Sequence, residues 1–276
     1  MMQRLLNERQ RTIAIMVIVS AVFLLILMSG LLIDTEKITI DLEMKSLAPS
    51  INHLFGTDWL GRDMLMRTLK GLTLSFGVGI LAALSSTTIA LILSIFSSWN
   101  KLADRVVAWL IDLFLSVPHL VTLLLISFAV GGGFKGIVIG IAVTHWPSLT
   151  RLLRAEIIQM KQVEYVGISR QLGKSRLWIA RHHLMPHLMP QLLVGFVLLF
   201  PHAILHEAAI TFLGFGLSTE TPAIGIILSE SMRYLSTGLW WLAIFPGLAL
   251  LVMVGGFDLL GRSIQKFIDP FHERSA

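Results

Sequence analysis

The chain has 276 residues, of which 55% are hydrophobic and only 14% are charged, whereas soluble domains usually carry about 25% charged residues. A soluble domain of this length cannot bury so much apolar surface, so the composition predicts an integral membrane protein. The absence of cysteine excludes disulfides, thiolate metal ligands and cysteine nucleophiles. The net charge of +5 comes from basic residues near the ends of apolar segments, which favours a role in topology over a nucleic-acid partner.

Six segments are apolar over the roughly 20 residues that a bilayer-spanning helix needs. They lie at about 12–33, 72–97, 106–130, 136 to beyond 151, 188–217 and 239–261. The first is too long for the apolar core of a signal peptide and is interpreted as a retained helix. Pro118 should kink the third. We therefore predict an all-α, polytopic fold with six transmembrane helices in one domain, 1–276.

The placement of Lys and Arg predicts the orientation of these helices. With the N-terminus inside, the cytoplasmic segments carry roughly twice as many Lys and Arg as the outer ones, which predicts that both termini are cytoplasmic. The polar segment 34–71 is then extracytoplasmic, with Asp58 or Asp63 capping a helix. The segment 159–187 becomes the largest cytoplasmic loop.

This cytoplasmic loop contains the sequence EYVGISRQLGKSRLWIARHHLMP, residues 164–186. We expect two short helices, 159–172 and 174–183, separated by Gly173, with Pro186 and Pro190 restricting the start of the fifth span. Such a pair of short basic helices could be a topology anchor, could bind anionic lipid head groups, or could dock into a groove on a soluble partner.

The spacing in this loop resembles the coupling-loop signature of ATP-binding-cassette (ABC) importer permeases. That signature reads Glu-Ala-Ala, three residues, Gly, nine residues, Ile-x-Leu-Pro. The corresponding residues here are Gly167-Ile168-Ser169, Gly173 and His183-Leu184-Met185-Pro186, preceded by Glu164-Tyr165-Val166. The triplet and the Ile position differ from the family pattern.

Three further stretches resemble the dipeptide, oligopeptide and nickel branch of these permeases. They are LFGTDWLGRD at 54–63, TFLGFGL at 211–217 and DPF at 269–271. The His-x-x-x-His of the fifth span, followed by Ala-x-x-Phe-Leu-Gly, and the His145-Trp146 pair are most similar to the nickel-type (C-type) membrane subunit.

This resemblance implies the type I importer permease fold and a place in the cytoplasmic (inner) membrane. It implies a second homologous permease subunit, two ATP-binding subunits and an extracytoplasmic substrate-binding protein as partners. The chain lacks a Gly-x-x-x-x-Gly-Lys-Ser/Thr phosphate loop, so we expect no ATPase activity and no cofactor on this chain, with ATP and Mg on the partner subunits. The residues expected to couple to the ATPase are Glu164, Gly167, Ser169, Gly173, Arg176 and Pro186.

Ionisable residues inside spans are costly and so indicate function. We expect His202, His206, Glu207 and His145 to line the substrate path. His202 and His206 share one helix face and could hold a metal transiently, whereas Glu207 lies about 100° round the helix and should not complete that site. The alternative is that these histidines only hydrogen-bond neighbouring helices. The predicted cargo is nickel or a related transition-metal chelate, with a dipeptide or oligopeptide as the alternative.

The remaining ionisable residues are given structural interpretations. His119 follows Pro118 and could line the path, but a packed, hydrogen-bonded histidine is the favoured interpretation. His182, His183 and His187 are expected to belong to the docking loop. Asp112 and Asp258 should pair with Arg105 or Arg262. Two other classes fit less well: a secondary transporter should show internal repeats, which are absent, and a zinc protease should show His-Glu-x-x-His, whereas residue 210 is Ile.

Overall fold

The computed structural model describes residues 2–34, 38–218 and 221–268, which form ten α-helices and no strand. The helices are α1 (Met2–Leu32), α2 (Met64–Ser97), α3 (Lys101–Ser116), α4 (His119–Ala129), α5 (Gly133–Met160), α6 (Glu164–Gln171), α7 (Arg176–Ile179), α8 (Met185–Phe212), α9 (Ile224–Met232) and α10 (Trp241–Ile268). The helix α9 lies in the loop after the fifth span.

Among the described residues, five helices are long and apolar enough to cross a membrane: α1, α2, α5, α8 with the turns before it, and α10. The pair α3 and α4 makes a sixth span only if both helices are counted together, because their axes differ by 99°. The all-α, polytopic membrane fold predicted from the sequence is therefore confirmed. The kink predicted at Pro118 is a full break, because Val117 before the proline is extended (φ −98°, ψ 141°).

The helix α2 begins at Met64, earlier than the predicted start at 72, so the polar segment after α1 ends at 63 rather than near 71. Asp63 sets this boundary, because its carboxylate accepts a hydrogen bond from the Met66 backbone N–H at 3.0 Å. Asp58, the other predicted cap, is fully buried and accepts from Arg62 Nε and Arg67 Nη1, each at 2.7 Å. Arg67 also donates to Glu230 of α9 at 2.9 Å, which ties the segment to that helix.

The helices α4 and α5 pack closely because α5 presents glycines to the α4 backbone. A Cβ added at Gly136 would lie 2.6 Å from the Ser127 carbonyl oxygen, and one at Gly140 would lie 3.2 Å from that of Leu123. The contacts move one turn along each helix in opposite directions, as in an antiparallel pair. One further turn brings the first residue of α4, His119, level with His145.

The loop between α5 and α8 differs from the prediction at its second helix. The first expected helix, 159–172, is the shorter α6, which ends before Gly173 with its φ of +76°. The second, expected to stop at 183, instead continues from α7 through a π-helical turn, Ala180–Leu184, directly into α8. Pro186 lies in the first turn of α8, where a helix tolerates proline, so it does not separate the loop from the span.

Candidate functional site

Three histidines from three different helices meet inside the bundle. They are His119 of α4, His145 of α5 and His206 of α8, and one ring nitrogen of each lies within 4.8 Å of those of the other two. The ring centroids are 4.4 Å apart for His119–His145, 4.7 Å for His119–His206 and 5.0 Å for His145–His206. Within the described part of the chain, this is the one group of three or more His, Cys, Asp or Glu side chains close enough to hold a metal ion.

The hydrogen bond at His145 determines which nitrogen of its ring can bind a ligand. Its Nδ1 lies 3.0 Å from the Ile141 carbonyl oxygen, and because a carbonyl only accepts, Nδ1 carries the proton. The lone pair is then on Nε2, which is buried and has no hydrogen-bond partner in the described structure. A histidine oriented by a carbonyl on one nitrogen and free on the other is the usual arrangement of a metal ligand.

His119 is half-buried, and its Nε2 is also buried without a hydrogen-bond partner among the described residues. The prediction that His119 is a packed, hydrogen-bonded histidine is therefore wrong. The favoured interpretation failed because the position of His119 depends on the break at Pro118, which turns α4 back toward α5. The available signal was a histidine directly after the proline expected to distort the third span.

Two of the predicted path residues lie outside this three-histidine group. His202 is exposed, so the predicted pair His202 and His206 is replaced in the group by His206 with His119 and His145. Glu207 is fully buried and accepts a hydrogen bond from Thr211 Oγ1 at 3.0 Å, on its own helix. This placement agrees with the expectation that Glu207 does not share a site with the histidines.

The three imidazoles offer neutral nitrogen donors, which suit Ni²⁺, Co²⁺, Cu²⁺ and Zn²⁺. Nitrogens bonded to one ion at about 2.1 Å lie about 3–3.5 Å apart, so small side-chain rotations would bring the three rings to bonding distance. Three donors leave at least one coordination position open, which a bound chelator or water can fill. The group can therefore contact a metal without enclosing it.

Four of the predicted coupling residues are exposed in the segment between α5 and α8: Glu164, Gly167, Gly173 and Arg176. Ser169 is partly buried there, and Pro186 is exposed in the first turn of α8. Glu164 begins α6, Arg176 begins α7, and both are exposed. A Cβ added at Gly167 or at Gly173 would meet no atom within 4 Å. The backbone at these two glycines is thus open to a partner surface.

The histidines of this segment hold its short helices together. The Nε2 of His183 lies 2.9 Å from the Ser169 hydroxyl, which joins the π-helical turn to α6. The ring of His182 stacks on Trp178, with centroids 4.3 Å apart. His187 lies 3.5 Å from Glu156 of α5. None of the three belongs to the three-histidine group.

The two carboxylates predicted to pair, Asp112 and Asp258, both form surface ion pairs. Asp258 pairs with Arg262 at 2.9 Å, as predicted. Asp112 pairs with Arg151 of α5 at 3.2 Å, so its predicted pairing with Arg105 or Arg262 is wrong. The 99° break between α3 and α4 explains this difference. Because of the break, α3 packs against α5 in a direction of its own and not in that of a continuous span.

Comparison with known proteins points to a single family. The family described as binding-protein-dependent transport system inner membrane component matches residues 86–273. The dipeptide transport system permease protein DppC of Bacillus subtilis is 29% identical over 97% of this chain and 84% of its own length. The nickel transport system permease protein NikC of Escherichia coli is 28% identical over 96% of each chain. Overall identity therefore does not distinguish a peptide permease from a nickel permease.

The fold also matches a solved structure. A crystal structure of an amino acid ABC transporter with histidines aligns with a TM-score of 0.54 at 18% identity, over 75% of this chain and 94% of that chain. At this identity the match supports the helical architecture alone.

Proposed function

We propose that this chain, which belongs to the binding-protein-dependent transport system inner membrane components, passes a complexed transition metal, such as nickel, across the cytoplasmic membrane. Its family makes it a multi-pass inner-membrane permease subunit of an ABC importer, which works with ATPase and substrate-binding components and is not itself the enzyme. The cargo is the part that we propose.

The observation that supports a metal cargo is the group of His119, His145 and His206. Histidine rings inside a membrane bundle are unfavourable unless they have a role there. Here two Nε2 atoms are buried without hydrogen-bond partners in the described structure, and His145 Nδ1 is held by a carbonyl. A metal ion bound to these two Nε2 atoms would compensate for their missing hydrogen bonds.

The group is suited to transit rather than to storage. A complete set of protein ligands would trap the ion, whereas three imidazoles leave positions for the carrier that brings the metal. His202, exposed four residues before His206, could contact the same complex on its way. We propose that the complex passes these histidines in sequence.

Coupling to ATP hydrolysis is assigned to the exposed residues of α6, Gly173 and α7. We propose that this surface docks on one of two ATPase subunits, that a second homologous permease subunit completes the pore, and that both termini are cytoplasmic. Closure of the ATPases would then move the segment and, through its continuous helix into α8, also move His206. ATP and Mg²⁺ remain on the partner subunits.

The alternative cargo is a dipeptide or oligopeptide. Its support is the similarity to DppC, which is as great as the similarity to NikC. Under this alternative the three histidines would serve as neutral, polar contacts for peptide groups, and metal would not be carried.

The test is uptake into vesicles that hold the complete transporter and its binding protein. Radiolabelled nickel would be supplied with and without a small chelator, in competition with unlabelled dipeptides, and labelled dipeptide uptake would be measured in parallel. We expect chelated nickel to enter and dipeptides not to compete. Dipeptide uptake without nickel uptake would contradict the metal cargo and favour the peptide alternative.

Matched histidine variants assign the path. We expect His145→Ala and His206→Ala each to lower metal uptake at least about tenfold, since each removes a direct donor of the group. His202→Ala, four residues from His206 but outside the group, should have a smaller effect. Unchanged metal uptake in His145→Ala and His206→Ala would remove the three-histidine group from the transport path, whereas an equal loss in His202→Ala would extend the metal contact to His202.

A further inference from the structure

A cleft of about 620 Å³ lies beside the loop between α5 and α8. Its walls come from the connection between α2 and α3, the first turn of α3, the last turns of α5, and the helices α6 and α7. It is separate from the three-histidine group, since none of those histidines lines it.

The described residues that line this cleft are strongly unbalanced in charge. One carboxylate, Asp104, faces six cationic side chains: Lys101, Arg154, Lys161, Arg170, Lys174 and Arg176. Arg154 neutralises Asp104 through a hydrogen bond from Nη2 to Oδ2 at 3.0 Å. Within the described structure, the other five cations have no carboxylate within ion-pair distance.

Lys161 lies in the wall of the cleft. Its ammonium donates a hydrogen bond to the Ser98 carbonyl oxygen at 2.7 Å, which holds the positive charge at the cleft wall. Burial lowers the pKa of Lys161; the charge of Asp104 opposes this shift, and the charges of Arg170 and Arg176 add to it. Bringing like charges together without an anion is unfavourable, so an anion in the cleft would stabilise this arrangement.

The donors of the cleft suit a phosphate group. Guanidinium groups bind phosphate oxygens through paired N–H donors, and lysines supply compact positive charges. Basic pockets between membrane helices are known binding places for anionic lipid head groups. Trp99 in the wall is 43% exposed and the neighbouring Leu102 is 66% exposed, which gives an acyl chain apolar surface next to the charged cleft.

We propose that this cleft binds a phosphate group, carried by an anionic phospholipid or by a small soluble phosphate compound. The phosphate would contact Lys101 from one wall and Arg170 from the other. It would link α3, at the broken span, to the loop that we propose docks on the ATPase. The competing occupant is an acidic segment of an ATPase subunit, which the experiment must separate.

The experiment uses the complete transporter purified in detergent. Native mass spectrometry would count bound phosphatidylglycerol against phosphatidylcholine in a titration, and calorimetry would measure binding of glycerol 3-phosphate and of inorganic phosphate. The test variant is Lys101→Gln/Arg170→Gln. The control is Arg105→Gln/Arg181→Gln, which removes the same charges from exposed positions on α3 and the loop outside the cleft.

We expect the test variant to weaken binding of the preferred phosphate compound about tenfold or more, and the control to change it less than about twofold. Selective binding of phosphatidylglycerol would identify a lipid as the source, and binding of the soluble compounds would identify a free phosphate. Equal binding of both lipids with no soluble phosphate bound would overturn the proposal. Equal losses in both variants would also overturn it. If only a preparation without ATPase subunits bound phosphate, the ATPase would be the occupant and the proposal would be wrong.

Discussion

Two segments of the chain carry clustered charges, and they use them in opposite ways. The α1–α2 segment (residues 38–63) buries Asp58 completely and surrounds it with Arg62 and Arg67, while Glu230 of α9 accepts from Arg67. The α5–α8 segment (residues 161–184) instead leaves Arg170, Lys174 and Arg176 exposed, with no carboxylate within ion-pair distance among the described residues.

This difference indicates what each segment needs in order to keep its shape. A buried ion-pair network finds its opposite charges within the chain and fixes the α1–α2 segment against α2 and α9. These exposed like charges have no carboxylate partner among the described residues, although Lys174 contacts the ring of Trp178 at 4.9 Å. The α5–α8 segment should therefore gain most from an external partner. Substitutions in the α1–α2 segment should therefore lower the stability of the protein. Substitutions in the α5–α8 segment should instead weaken partner binding and coupling to ATP hydrolysis.

The largest effect is expected for Asp58→Asn. It leaves Arg67, which is 3% exposed, without its buried carboxylate. Removing one partner of a buried pair costs about 3–5 kcal/mol of stability. Thermal unfolding in detergent measures the loss. The control is Asp112→Asn, which breaks an exposed pair and should cost about 0–1 kcal/mol. Equal shifts in the two variants would show that the Asp58 network is not a stabilising element.

Two glycines with the same backbone conformation test the comparison next. Gly61 has φ +78° and Gly173 has φ +76°, so alanine is strained at both by about 1–2 kcal/mol. A Cβ at Gly61 would lie 1.6 Å from the Asp41 carbonyl oxygen, whereas one at Gly173 would meet nothing within 4 Å. Gly61→Ala should therefore lose about 2–5 kcal/mol and Gly173→Ala only the strain.

Transport function should show the reverse order, with little effect of Gly61→Ala and a large effect of a bulkier substitution at Gly173. Gly61→Ala should unfold more easily but retain ATPase activity per folded transporter. Gly173→Val should insert and fold, yet bind ATPase subunits less tightly and lose transport, because Gly173 lies on the open surface proposed to dock. Co-purification of ATPase subunits and uptake measure both. Full transport by Gly173→Val would contradict the docking surface.

The two segments also show what the sequence could and could not reveal. Hydrophobic length and turn residues are local signals, so the helices, the Asp63 cap and the break at Gly173 were predictable. The continuity of α7 with α8 was not, because Pro186 was expected to separate the loop from the span, whereas it lies in the first turn of α8 directly after the π-helical turn. Arg62 is a local partner of Asp58, but Arg67 comes from α2 and links Asp58 to Glu230 of α9, which no local pattern indicates.

The candidate site was partly predictable for a related reason. Ionisable residues in apolar spans identified His145 and His206, because their unusual placement is visible in one helix at a time. The third member, His119, depends on the 99° break and on glycine contacts that bring α4 against α5. Helical spacing instead suggested His202, which shares a face with His206 but is exposed. Spacing within one helix cannot show what three helices bring together.

The smallest effect is expected where the α5–α8 segment does have an internal contact, the hydrogen bond between Ser169 and His183 at 2.9 Å. Ser169→Ala should cost about 1 kcal/mol, because the bond is only partly buried and water can replace it. The loss should be local, measured as faster amide hydrogen exchange in residues 164–184 with little change in global unfolding.

A double-mutant cycle of Ser169→Ala with His183→Ala separates the hydrogen bond from ring packing, because the ring of His183 also lies 5.1 Å from that of Tyr165. A coupling energy of about 0.5–1.5 kcal/mol is expected. Strict additivity would mean that the segment has no internal hydrogen bond of consequence and depends on its partner for its shape.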